Sequence, residues 1–168
     1  MNKFSAKVLT KTAVIAALYA LCTLLFAPIS YGAIQFRIAE ALCVLSFFYP
    51  EAVLGLTLGC FIANLFGNGP LDILLGTTAT LLASVLAFLA SKKIKNVGLK
   101  FVICSLFHII LNAILVPFTF LAITELTSLY IISALQVLLG QSVVILTLGS
   151  FLYAVIEKRE NSLNNKLK

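Results

Sequence analysis

The stretch TAVIAALYALCTLLFA, residues 12–27, contains no charged side chain. Extended back to Val8 it makes a segment that, as an α-helix rising 1.5 Å per residue, is about 30 Å long, the thickness of a bilayer's hydrocarbon core. Pro28 and the Ser30-Tyr31-Gly32 turn residues close it. A basic stretch, Met1 to Lys11, precedes it, which is also the layout of a signal peptide. The apolar run is longer than the usual signal core, so it reads as a retained first spanning helix. The rest of the chain has the same character: 61% hydrophobic, 11% charged and a mean hydropathy of +1.11. A soluble domain carries about 25% charged residues, and a chain of 168 residues has too little interior to hide this much apolar surface. The composition therefore reads as an all-α integral membrane protein. Soluble enzymes, nucleic-acid readers and secreted disulfide scaffolds are excluded as classes.

Five further apolar segments follow within what reads as a single membrane domain over residues 1–168. Residues 38–49 and 51–66 are short and split by Pro50. The first of these is either a steep short helix or half of a re-entrant hairpin. Residues 72–91 follow the Gly67-Asn68-Gly69-Pro70 turn, residues 99–123 are interrupted by Pro117, and residues 129–156 complete six spans. The cysteines, Cys22, Cys43, Cys60 and Cys104, all lie within apolar runs without a C-x-x-C pair, and read as small buried hydrophobes rather than metal ligands or disulfides.

Charge supplies the orientation. All Lys and Arg except Arg37 fall in three clusters: Lys3, Lys7 and Lys11; Lys92, Lys93, Lys95 and Lys100; and Lys158, Arg159, Lys166 and Lys168. Cytoplasmic loops collect Lys and Arg, so all three belong on that side, with both termini cytoplasmic. An even number of crossings between clusters satisfies this. The net charge of +6 is then topological and calls for no nucleic acid.

With that orientation most intramembrane polar residues share the outer half: Gln35, Arg37 and Glu40; Asn64; Asp72; Asn112 with His108 one turn deeper; Gln136 and Gln141. Ionisable groups at membrane depth are costly and are functional candidates by default. Each also has a local explanation. Arg37 and Glu40 are three apart and can pair with each other. Asp72 and Glu51 each follow a proline and suit a helix N-terminus, and Glu51 lies on the side away from the cavity. His108 and Asn112 can bond to one another, and the glutamines can join helices. The local explanations do not account for the shared depth. A cavity combining acceptor-only carboxylates, donor–acceptor amides and a planar guanidinium suits a small flat ligand such as a nucleobase. Tyr31, Phe36 and Phe61 are near enough in depth to stack on it.

Ala13, Ala16, Ala17 and Ala20 follow i, i+3, i+4, i+7 spacing in the cytoplasmic half of the first helix. Small residues so placed admit another helix closely, either within the chain or from a separate subunit. No G-x-x-x-x-G-K-[ST] loop, no H-E-x-x-H and no G-x-S-x-G is present, and the single His lacks a nearby nucleophile. The chain reads as a binding component without its own engine, and not as an enzyme.

The run Gln35-Phe36-Arg37-Ile38-Ala39-Glu40-Ala41-Leu42, then Gly55-Leu56, Gly59-Cys60-Phe61-Ile62-Ala63-Asn64, and Leu71-Asp72 with Gly76 and Ala79-Thr80, resembles the QueT family, most strongly over residues 31–84. The resemblance implies a substrate-binding (S) component of an energy-coupling factor transporter in the cell membrane. Such a component has six helices and binds queuosine precursors, 7-aminomethyl- or 7-cyano-7-deazaguanine, from outside. It implies partners as well: a transmembrane coupling subunit and two ATPases that hydrolyse the ATP, with no cofactor or metal on this chain. The alanine face looks like that family's A-x-x-x-A docking motif. Binding residues expected on physical grounds are Glu40, Arg37, Asn64, Asp72, Gln35, Asn112, Gln141, His108 and Tyr31. Another vitamin precursor as ligand, an embedded enzyme and an assembly factor are the alternative readings.

Overall fold

Pro28, Pro50 and Pro70 each stand in the first turn of a helix, where a missing backbone N–H removes no hydrogen bond and a fixed φ favours helix entry. A computed structural model describes residues 6–32, 34–67, 69–119 and 127–166, and among these every regular element is helical. In order they are α1 (Ala6–Leu25), the short α2 (Ala27–Ser30), a 3₁₀ helix (Ile38–Phe47), α3 (Pro50–Asn64), α4 (Pro70–Ser91), α5 (Val97–Leu115), α6 (Thr127–Val144), a π turn (Ile145–Gly149) and α7 (Ser150–Lys166).

Among the described residues four helices are long and apolar enough to cross a membrane: α1, α4, α5 and the continuous helix Thr127–Leu163. The 3₁₀ helix and α3 are apolar but shorter. The last expected segment, 129–156, extends well beyond its apolar limit, because the π turn passes α6 directly into α7 and the polar run after Ile156 is rich in helix formers. The fifth begins earlier than expected, where Asn96 accepts from Leu99 N at 2.9 Å as an N-cap. It stops two residues short of Pro117, which has no N–H to continue the helical ladder, although Val116 still bonds to Asn112 O at 3.0 Å. The expected continuation to 123 lies outside the described residues from 120 onward, as does Asn68 of the turn before α4.

Within residues 38–49, expected as a steep short helix or half a re-entrant hairpin, Ile38–Phe47 form an unusually long 3₁₀ helix. At a rise of about 2.0 Å per residue it reaches further than an α-helix of equal length. It occupies the middle of the bundle, in contact with α1, α3, α4, α5, α6, the π turn and α7.

The interior is small and the exterior large. Ala39, Ala52, Ala63, Ala79, Ala83 and Ala87 are buried, with Cys43, Cys60 and Cys104, while Leu9, Leu25, Phe66, Leu74 and Phe151 point outward. Helices that gain nothing by hiding Leu from lipid instead gain by close backbone approach. The tightest case is α1 on α3. A Cβ on Gly59 would lie 2.7 Å from Tyr19 Cβ and 2.8 Å from Ala16 O, and one on Gly55 would lie 2.8 Å from Ile15 Cβ.

Candidate functional site

The 3₁₀ repeat gathers the polar residues. With three residues per turn, Glu40, Cys43 and Ser46 form one row continuing from Arg37 at the cap position, and all four are buried. In an α-helix, Arg37 and Cys43 would point about a third of a turn apart.

Arg37 and Asp72 meet first. Arg37 Nη2 lies 3.5 Å from Asp72 Oδ2, each side chain only 3% exposed. Asp72, in the first turn of α4, thus serves an ion pair as well as the helix end. The guanidinium sits 5.6 Å from the Tyr31 ring centroid, and Tyr31 donates its hydroxyl to Ala63 O at 2.6 Å. Asn64 closes the group, its Nδ2 donating to Asp72 O at 3.3 Å and approaching Cys60 Sγ at 3.4 Å. Gly76 makes this possible, since a Cβ there would stand 2.7 Å from Asn64 Nδ2. Four of the expected residues therefore come together as Arg37, Asp72, Asn64 and Tyr31.

Glu40 lies one 3₁₀ turn further in, 1% exposed. It does not pair with Arg37 through a direct salt bridge; its Oε1 accepts the hydroxyl of Tyr19 from α1. Gln141 of α6 stands beside it. Gln35, also buried, adopts φ 50°, an uncommon left-handed conformation for a side-chain-bearing residue. The backbone at 34–35 is pressed against α6 at Gly140, where a Cβ would lie 2.3 Å from Ile34 O.

The α5 candidates sit apart from the ion pair. Cys104 Sγ contacts Ala87 O at 3.3 Å, and this antiparallel register sets the Asn112 turn level with Thr80 and His108 one turn deeper. Asn112 Nδ2 donates to the His108 backbone carbonyl at 2.9 Å, so the two interact through the main chain rather than ring to amide. His108 is fully buried, its ring 6.3 Å from that of Phe47. Phe61, considered for stacking, is 41% exposed on the outer face of α3. Among the described residues no group of His, Cys, Asp or Glu gathers that would hold a metal ion.

Three contributors were not among the expected binding residues. Tyr19 is one; a Tyr within a spanning helix must place its hydroxyl on a partner, and that was its signal. Cys60 and Thr80 are the others, with Thr80 Oγ1 on Cys60 Sγ at 3.3 Å. Cys60 is thus an acceptor within the polar group as well as a small buried side chain.

The hydrogen-bonding capacity left over has a direction. Among the described residues Glu40 Oε2, Asn64 Oδ1 and Gln141 Oε1 are buried acceptors without a partner, with Arg37 Nε the unpartnered donor of the ion-pair group; Ser30 Oγ and both ring nitrogens of His108 are buried without a partner as well. Unsatisfied buried polar atoms are costly, so this group is chemically suited to a compact ligand that donates several hydrogen bonds and accepts about one.

The alanines of α1 divide. Ala16 and Ala20 are buried, Ala16 directly against Gly59 of α3, whereas Ala13 and Ala17 face outward beside exposed Val14 and Leu18.

Comparison with known proteins bears on this arrangement. The family described as QueT transporter matches residues 9–158. The queuosine precursor transporter QueT of Lactococcus lactis subsp. cremoris (strain MG1363) is 33% identical over 98 residues, covering 57% of this chain and 58% of that protein's length. No solved structure matches.

Proposed function

This chain belongs to the QueT transporter family, whose members transport rather than catalyse, and from that premise we propose that it is the substrate-binding component of an energy-coupling factor importer for a queuosine precursor. The proposed architecture is one six-span domain in the cell membrane with both termini cytoplasmic. The short 3₁₀ helix and α3 serve as two of the spans within a ring of longer helices.

The observation that carries the reading is Glu40. It lies at the centre of the bundle with one carboxylate oxygen engaged by Tyr19 and the other, near Gln141, without a geometric hydrogen bond among the described residues. A 7-deazaguanine edge offers an N1–H and an N2 amine as donors and O6 as acceptor, which complements the acceptors of Glu40, Asn64 and Gln141 and the donor of Arg37. Asp72 orients Arg37 and supplies negative charge for a cationic aminomethyl substituent. Tyr31 provides a flat wall beside the guanidinium, with Gln35 at the entrance. Asn112 and His108 line the deeper end. Because these groups are buried, ligand entry requires the segment leading into the 3₁₀ helix to move.

The chain shows no nucleotide-binding loop, so the energy comes from partners: a transmembrane coupling subunit and two ATPases. The outward Ala13 and Ala17 are the proposed contact for the coupling subunit; Ala16 and Ala20 support it from within the α1–α3 interface.

Thermal unfolding of the detergent-purified protein with 7-aminomethyl-7-deazaguanine, the 7-cyano analogue, guanine and riboflavin tests the ligand. Binding at a hundredfold excess over Kd stabilises by about 2.7 kcal/mol. A shift confined to the deazapurines is the expected result; a shift for riboflavin, or for none of the four, overturns the substrate assignment.

A further inference from the structure

At the opposite end of the 3₁₀ helix from Arg37, α1 and α7 flank a lateral cavity of about 530 Å³. Among the described residues these two helices do not pack along one another; Ile15, Leu45 and Tyr49 line the cavity between them. Lys7 and Lys11 come from α1, and Arg159 and Glu160 from α7.

Both acids in this cavity are committed. Glu51 takes Lys11 Nζ at 2.5 Å, and Glu160 accepts the Tyr49 hydroxyl at 2.6 Å. Lys11 also stands 5.3 Å from the Tyr49 ring centroid. Among the described residues Lys7 lies in the field of Glu51 without a direct ion pair, and Arg159 has no acidic partner. One end of the opening therefore presents two uncommitted cations on facing helices. The other end is apolar: Val14 is 52% exposed, and outward Leu18 and Leu21 on α1 and Val155 and Phe151 on α7 continue the same surface.

A cation pair next to an apolar wall open to the side matches an amphiphile with an anionic head. We infer that this groove seats an anionic glycerophospholipid, its phosphate between Lys7 and Arg159 and its first acyl carbons against Val14 and Leu45. Basic pockets between helices at the cytoplasmic face are suited to such head groups, and that is where the proposed orientation puts these residues. The groove takes no part in the deazapurine site, so either assignment stands if the other fails.

The test compares lipid retention, by native mass spectrometry, and thermal unfolding in phosphatidylglycerol, in phosphatidylcholine of the same chains, and in inorganic phosphate. Phosphatidylglycerol is expected to be retained and to stabilise beyond phosphatidylcholine, with phosphate without effect. The Lys7→Gln/Arg159→Gln double variant is expected to lose that preference and to hold phosphatidylglycerol about tenfold less tightly or worse, while its deazapurine response is unchanged. Arg159→Gln alone, a change at an exposed position, provides the same comparison if the double variant is unstable. Equal effects of the two lipids, an unaltered preference in the variants, or stabilisation by phosphate alone would each overturn the assignment. So would loss of transport in the double variant with lipid retention intact, which gives the groove to a protein partner.

Discussion

Tyr19, in the C-terminal half of α1, donates its hydroxyl to Oε1 of Glu40, in the central 3₁₀ helix. The same helix presents Ala17 to the outside two residues earlier. One rigid element thus joins the proposed docking face to the carboxylate on which ligand recognition is proposed to turn. Its position is fixed by Gly59 of α3, which admits Tyr19 Cβ and Ala16 O at distances no other residue would allow.

Tyr19→Phe keeps the ring and removes the donor. A hydrogen bond to a charged group contributes roughly 1.5–3 kcal/mol, and part of that loss is expected in ligand affinity, because Glu40 is no longer held in place. Titration calorimetry should show affinity about tenfold weaker or worse. An unchanged Kd with a lowered unfolding temperature would make the bond purely structural.

Glu40→Gln preserves shape but replaces an acceptor-only group with one that also donates. Against a ligand edge made of donors, this leaves donor facing donor. Sites built on such bonds discriminate by ~10⁴ or more, and deazapurine binding is expected to be nearly abolished. Wild-type affinity would remove Glu40 from the site.

Asp72→Asn leaves Arg37 buried without its anion. Removing one partner of a buried pair costs roughly 3–5 kcal/mol, so chemical denaturation should show a large loss, and the Arg37→Met/Asp72→Leu double variant should recover much of it. In ligand titrations the Asn variant is expected to weaken the aminomethyl compound far more than the cyano one. Equal losses would confine Asp72 to orienting Arg37.

The alanines of α1 should separate stability from coupling. Ala16→Leu places bulk against Gly59, and overpacking of this kind costs about 1–3 kcal/mol or more. Ala13→Leu/Ala17→Leu changes only the outward face. It is expected to leave unfolding and ligand binding near wild type while uptake in cells carrying the ATPase module falls sharply. Normal uptake would rule out docking at this face.

Much of this was open to reading along the chain. The long apolar runs, the boundaries at Pro28, Pro50 and Pro70, and the gathering of Arg37, Asn64 and Asp72 follow from spacing and composition, because a membrane span must satisfy its own backbone and tolerates few charges. α1 and α4 begin and end within two residues of the apolar segments, whereas the polar tail of α7 carries no apolar signal and α5 stops at Leu115, short of the expected 123.

Other relationships exist only once helices face one another. Nothing local distinguishes a 3₁₀ helix from an α-helix over residues 38–47, yet the choice sets Arg37, Glu40, Cys43 and Ser46 in a single row. Partner choice is likewise nonlocal: Arg37 selects Asp72, thirty-five positions away, over Glu40, three away, because the α3–α4 turn delivers Asp72 to the cap of the 3₁₀ helix. Ala16 and Ala17 are adjacent and identical in type, but one is buried against Gly59 and the other faces outward. Composition and spacing determined the long apolar helical segments; which small or polar side chain turns inward was decided by backbone approach distances, and a sequence does not contain those.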